Sequence, residues 1–279
     1  MAYRRRKVVD LVARGLCVAA MGVALVPLVS VLVYVGRAGL SGLSWDFFTQ
    51  LPAPVGEAGG GMKNALVGTA VLVGLAGSVG IPLGVMAGVY LSEFGHTRLA
   101  RVVRFSADVM AGVPSIAVGI FAYTLIVLTM DRFSALAGGF ALGILMLPTI
   151  TRTTEELLRL VPATLREAGL ALGVPKWKVI VKIVLGTAAP GIATGVMLAV
   201  ARVAGETAPL LFTALNSRFW STALDQPIGS LSVQIYTYAV SPYDDWHRQA
   251  SAAALVLVAL VLVLNVGARL AFRARGDSR

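Results

Sequence analysis

This chain is poor in charge. Only 14% of its 279 residues are Asp, Glu, Lys or Arg, where soluble domains carry about a quarter, so a water-facing surface cannot be built from it. Cysteine occurs once, at Cys17, which excludes a disulfide framework. The two histidines, His96 and His247, are predicted to lie in separate loops, and no His, Cys or carboxylate spacing fits a metal site, so no metal and no cofactor is expected. No G-x4-G-K-[ST] phosphate loop occurs, so the chain is not expected to hydrolyse ATP. A membrane enzyme is disfavoured by the lack of His, Cys or paired carboxylates at membrane depth. No internal repeat or low-complexity segment divides residues 1–279, which read as a single membrane domain.

Hydrophobic residues make up 57% of the chain. Six apolar runs reach the length of about 17 to 25 residues that a membrane helix needs: Gly15–Gly36, Ala65–Tyr90, Asp108–Met130, Ser134–Ile150, Ala188–Leu211 and Ser251–Phe272. They are continuous, not alternating, so the fold class is all-α integral membrane. The first run is too long for a cleaved signal and lacks a small-residue cleavage site.

The net charge of +10 suggests nucleic acid until its distribution is read. With the N-terminus inside, eighteen of the 24 Lys and Arg fall on inner segments and five on outer ones, with Arg202 inside a span. That asymmetry predicts both termini in the cytoplasm and basic contacts with anionic lipid headgroups rather than nucleic acid. Residues 1–10 form a short cytoplasmic tail. Trp45, Trp177, Trp220 and Trp246 lie outside the apolar centres, as interfacial anchors do. Residues 37–64 and 214–250 form two outer loops, suited to a vestibule or to a soluble partner; within the second, Leu231, Val233 and Ile235 fit strand or helix equally. Gly80, Gly84 and Gly88, with Gly139 and Gly143, predict close helix packing, within the chain or across a subunit interface.

Two segments carry chemistry. The first is the polar elbow of the inner loop, about residues 152–186. Thr164-Leu-Arg-Glu167 fits a capping box, Gly173 suits the left-handed position that ends a helix, and Pro175 suits the first turn of the next. The elbow therefore reads as two short helices, the second holding Lys176, Lys178 and Lys182 at the lipid interface. A plain connector would have the same shape. Small residues at Ala168, Gly169 and Ala171 favour close approach by a partner.

The second is Ala201–Leu210, with Arg202, Glu206 and Thr207 inside an apolar run. With entry near Pro190, Arg202 lies about 18 Å in, close to the midplane of a core about 30 Å thick. A lone charge there costs about 2.5 to 3.5 kcal/mol, and Glu206 one turn on can offset it. Pro209 is expected to kink the helix at Gly205. A self-neutralising pair is one explanation; a guanidinium fork for an anion's oxygens is the other. Breaks at Gly112-Val113-Pro114-Ser115 and Leu147-Pro148-Thr149 free carbonyls at Met110 and Ile144, which a cavity or plain packing can satisfy.

The spacing Glu167-Ala168-Gly169, Gly173, Ile183, Leu185 resembles the coupling loop E-A-A-x3-G-x9-I-x-L-P of ABC importer permeases, with Gly169 for the second Ala and Gly186 for the final Pro. The first change weakens the short helix by at most about 1 kcal/mol; the second loosens the exit into the fifth span. Together GVPSIAVGIFAY, LPTITRTTEELLRLVP, ARVAGETAPLLF and LSVQIYTYAVSPYDDW resemble the PstA-type permeases of the bacterial phosphate-specific transport system, from about Gly61 to Asn265.

The resemblance implies a six-helix type I (MetI-like) permease of the bacterial inner membrane. Its implied partners are a sister permease, two cytoplasmic ATPase subunits and an external phosphate-binding protein. The substrate pathway would hold Arg202, Glu206, Thr207, Pro114 and Ser115. Glu167, Ala168, Gly169, Gly173, Ile183 and Leu185 would meet the ATPase. The rivals are an ion-coupled secondary anion carrier using Arg202 and Glu206 as a proton relay, and an ABC permease for sulfate or molybdate.

Overall fold

The computed structural model describes residues 2–57 and 59–276, and helices are the only regular elements among them. Five helices are long and apolar enough to cross a membrane: α1 (Ala2–Gly42), α3 (Lys63–Glu93), α6 (Ala135–Arg159), α8 (Lys176–Ala204) and α11 (Asp244–Gly276). Short α2 (Trp45–Thr49) lies between α1 and α3. The third expected span is a bent pair, α4 (Arg98–Gly112) and α5 (Ser115–Met130), meeting at 106°. The cause is Pro114, which disfavours a helical conformation in the residue before it; Val113 is extended, with ψ 130°. The Met110 carbonyl is not left free there, because Val113 N–H donates to it at 3.3 Å.

The centre of the bundle is the parallel pair α3 and α6. Gly80 faces Gly143 and Met146, Gly84 faces Ile150, Gly88 faces Thr151 and Thr154, and Gly139 faces Leu75. The glycine steps thus serve packing inside one chain, where absent side chains let the two backbones approach. Around them lies a core that includes Leu72, Leu142, Met146, Ile150, Val203 and Leu210. α8 runs antiparallel to α6, with Gly191 against Leu157 and Gly195 against Thr153. α1 packs on α11 through Gly39 and Gly42, and the side chains described over its first three quarters are exposed.

At the end where α6 begins, much of the expected second outer loop is folded onto the bundle. α9 (Ala208–Thr213), the segment 214–230 and α10 (Leu231–Ala239) cap the bundle. Ser134 N–H donates to Thr213 O, Ala135 N–H to Gln226 O, and Leu231 N–H to Thr69 Oγ1. Leu231, Val233 and Ile235 are helical. Trp246, expected at an interface, is 8% exposed and stacks on Tyr238 at 4.3 Å. His247 lies in the first turn of α11 rather than in a loop, bonded to Ser241 O at 2.7 Å.

Candidate transport site and coupling elbow

The elbow follows the C-terminal end of α6. α7 (Ala163–Ala171) starts one residue before the expected cap: Pro162 is the N-cap and no side chain caps the helix. Thr164 is exposed and forms no capping box. A proline supplies the φ that starts the turn and has no N–H to satisfy. The start is fixed instead by Arg166, which pairs with Glu93 at the end of α3 and donates to Leu158 O at 2.9 Å.

The C-terminal end is a Schellman turn. Gly173 has φ +74°, its N–H donates to Leu170 O at 2.9 Å, and Val174 N–H donates to Gly169 O at 3.2 Å. Pro175 is the N-cap of the next helix rather than part of its first turn, so that helix begins at Lys176. That helix is not a separate short one. It runs from Lys176 through a π turn at Val179–Val184 and straight past Gly186 to Ala204, so the missing motif proline leaves a continuous helix, not a loosened exit. Lys176 lies 4.9 Å from the Phe94 ring and Lys178 5.4 Å from that of Trp177.

The six coupling positions divide. Glu167, Ala168 and Gly173 are exposed, beside Leu170, Leu172 and Trp177. Gly169 is buried: a Cβ there would stand 2.8 Å from Ile183 Cδ1 and 3.0 Å from Val179 Cγ2. Ile183 and Leu185 pack into a cluster with Leu158, Val161, Val179 and Val184. Gly169 is therefore the floor on which α7 sits against α8.

The second site is the break after α8. Gly195 faces Thr153 of α6, and Arg202 stands about two turns further along α8, level with the middle of α6. The helix stops at Ala204, so the irregularity at Gly205 is an end of the helix rather than the expected kink within it; Pro209 lies in the first turn of α9. Gly205 N–H donates to Arg202 O and Glu206 N–H to Val203 O, both at 3.2 Å, and Ser232 Oγ donates to Glu206 O at 2.7 Å. The irregular backbone is thus satisfied at depth. The side chains are loosely held: Arg202 Nε is 3.9 Å from Glu206 Oε1, with Arg202 54% and Glu206 17% exposed.

The break at Pro114–Ser115 belongs to the same region of the fold, because α5 packs on α9 with Gly119 against Pro209. The groove of about 560 Å³ beside the α8 end is lined by Ala201, Gly205, Leu257, Val261 and Asn265. It is apolar, and Arg202 is not in its wall.

One arrangement escaped the sequence. Glu155, 1% exposed on α6, accepts from Arg104 at 2.6 and 3.0 Å and from Arg152 at 3.0 Å, and pairs with Arg159 at 2.6 Å; Arg152 also pairs with Asp108 at 3.1 Å. The spacing of Arg152, Glu155 and Arg159 at three and four residues was a visible signal. So was that of Arg104 and Asp108, but nothing in the sequence brings α4 against α6.

Residues 80–274 match the family model described as binding-protein-dependent transport system inner membrane component. The phosphate transport system permease protein PstA of Yersinia pestis is 46% identical over 272 residues, covering 97% of this chain and 92% of that protein. PstA of Haemophilus influenzae is 48% identical, covering 84% and 83%. PstA 1 of Mycobacterium tuberculosis strain CDC 1551 / Oshkosh is 42% identical, covering 95% and 88%. Among solved structures, a chain of the MetNI methionine ABC transporter in an inward-facing conformation superposes with a TM-score of 0.61 at 20% identity, covering 76% of this chain and 93% of that one. That last likeness is one of fold.

Proposed function

The chain belongs to the binding-protein-dependent transport system inner membrane components and, among them, to the PstA phosphate transport permeases, and from that premise we propose that it forms half of the membrane path of an ATP-driven phosphate importer. It is a transport component working with an ATPase and a binding protein. A sister permease completes the path on the face where Arg202 stands half exposed. Both termini and the elbow lie on the cytoplasmic side, where the Lys and Arg excess puts them.

The observation that carries the site is the interruption of α8 halfway through the bundle, with Arg202 in its last turn. A guanidinium held only loosely by Glu206 at 3.9 Å can exchange that carboxylate for phosphate oxygens. Thr207, Pro114 and Ser115 sit at the two breaks flanking the packed pair α5 and α9. At the elbow, Glu167, Ala168 and Gly173 offer the ATPase a polar and apolar face, while Gly169 against Ile183 joins α7 to α8 and Leu185 packs in the cluster with Leu158 and Val161. Closure of the ATPase pair then moves α7 and α8 as one body, and the break at Gly205 is where that motion meets the anion.

Uptake of radiolabelled phosphate by cells carrying Arg202→Ala tests this, with assembly checked by co-purification. Loss of one charged hydrogen-bonding partner, about 1.5 to 3 kcal/mol, is expected to lower uptake about tenfold or more. Undiminished uptake with normal assembly rejects Arg202 as the anion's partner. Uptake abolished by an uncoupler and untouched by ATP depletion would instead favour the ion-coupled carrier.

A further inference from the structure

The cap at the end of the bundle opposite the elbow holds a second cavity, of about 400 Å³, where Asn216, Arg218, Gln234 and Thr237 stand in a wall otherwise formed by apolar and aromatic residues such as Leu211, Val233 and Trp246. Arg218 pairs with no carboxylate among the described residues: its guanidinium lies 4.9 Å from the Trp246 ring, and its only hydrogen bond reaches Ala53 O at the limiting 3.5 Å. Asp245, on the same helix turn as Trp246, is engaged by Arg248 and by Gly59 N–H. Gln234 has no exposed surface, and its Nε2 has no partner. Asn216 Nδ2 donates to Gln234 Oε1 at 2.7 Å, which leaves Asn216 Oδ1 unpartnered as well.

Turning both amides over preserves their mutual bond and exchanges the orphans. In either orientation one donor and one acceptor remain unused in a cavity wall that also holds Arg218. Buried amide groups without partners are uncommon, and each one destabilises the fold unless something fills it.

From this set we infer a binding site for a tetrahedral oxyanion that still carries a proton, hydrogen phosphate being the example. The inference rests on the phosphate reading above and adds a second station to it. The guanidinium and the amide N–H donate to charged oxygens, and the amide oxygen accepts from the P–OH. Sulfate carries no proton at neutral pH and would set a bare oxygen against the amide oxygen. A site that requires a hydroxyl donor discriminates strongly against an analogue lacking it. On the outward side, such a cavity receives the anion before it reaches Arg202.

Equilibrium binding of radiolabelled orthophosphate to the assembled transporter in lipid nanodiscs, without the external binding protein, tests this. Arg218→Gln and Gln234→Met are each expected to weaken one class of sites about tenfold. Arg218→Lys, which keeps the charge, is expected to retain most of the binding, and Arg202→Ala to leave this class intact. A hundredfold excess of sulfate is expected not to displace the phosphate. Binding that survives both Arg218→Gln and Gln234→Met overturns the site, and displacement by sulfate overturns its selectivity for a protonated anion. If binding survives the substitutions while wild-type proteoliposomes supplied with ATP and the external binding protein take up phosphate, only this inference falls. If those wild-type proteoliposomes take up none, the transport reading falls with it.

Discussion

Two carboxylates in this bundle meet arginine in opposite ways. Glu155 is 1% exposed and is held by three guanidinium groups at 2.6 to 3.0 Å. Glu206 meets one, at 3.9 Å, and that arginine is 54% exposed. The first cluster has its hydrogen-bonding capacity filled by neighbours in the same chain. The second has most of it left over. An ion site in a membrane protein that is closed on itself holds helices together, and one left open is where a mobile ion can be accommodated.

The largest test of that contrast is Glu155→Gln. The substitution removes the charge around which Arg104, Arg152 and Arg159 are gathered, and breaking a buried pair from one side costs about 3 to 5 kcal/mol. Unfolding of the purified protein in detergent is expected to show a loss of that size. A loss below about 1 kcal/mol would mean that the arginines are solvated well enough without it, and the contrast with Glu206 would collapse.

The next is Gly88→Ala. A Cβ at this position would stand 2.5 Å from Thr154 Cβ and 2.7 Å from Thr151 O, so α3 must move from α6 just beside Glu155. Overpacking of this kind costs about 1 to 3 kcal/mol. The same unfolding assay measures it, and an unchanged stability would show that α3 and α6 slide freely. The substitution touches nothing at Gly205, so residual phosphate uptake per folded molecule is expected to be normal.

How far these features were legible in the sequence follows from range. Helix packing through Gly80, Gly84 and Gly88 was readable because the period lies in one helix. So was the turn at Gly173, because a left-handed residue is a local demand. The burial of Gly169 was not: its neighbours Val179 and Ile183 become neighbours only after the Schellman turn folds α7 back on α8. The bend at Pro114 showed as a break but not as a 106° corner, whose angle is set by what α5 packs against. The irregularity at Gly205 was legible from Pro209 four residues on, but as a kink in one helix and not as the end of a helix after Ala204. In the fold, that proline begins a helix instead of bending one. The roles given to Arg202 and Glu206 rest on chemistry at a place the fold supplies, the middle of α6.

Glu206→Gln should have a smaller effect on stability. The contact is long and its arginine half solvated, so the change is expected to stay within about 1 kcal/mol. Uptake, by contrast, is expected to fall, because an Arg202 without its counter-charge keeps hold of the phosphate it should release. A stable protein with slowed uptake separates Glu206 from Glu155. Equal damage to folding from both substitutions would make them one kind of site.

The smallest expected effect is that of Thr164→Ala, and its smallness carries the information. A true capping box would make the threonine worth about 1 kcal/mol. Here Pro162 occupies the cap, Thr164 is exposed, and Arg166 ties α7 to Glu93 and Leu158. A surface change without such a role is expected to stay within about 0.5 kcal/mol, with phosphate uptake unaltered. Arg166→Gln in the same assay is expected to loosen the elbow and to slow uptake at unchanged anion binding, since it severs the link between α7 and the end of α3 without touching α8. If Thr164→Ala does the greater harm, the elbow is pinned by its own first turn. Movement of the ATPase would then reach the bundle through α8 alone rather than through α3 and α8 together.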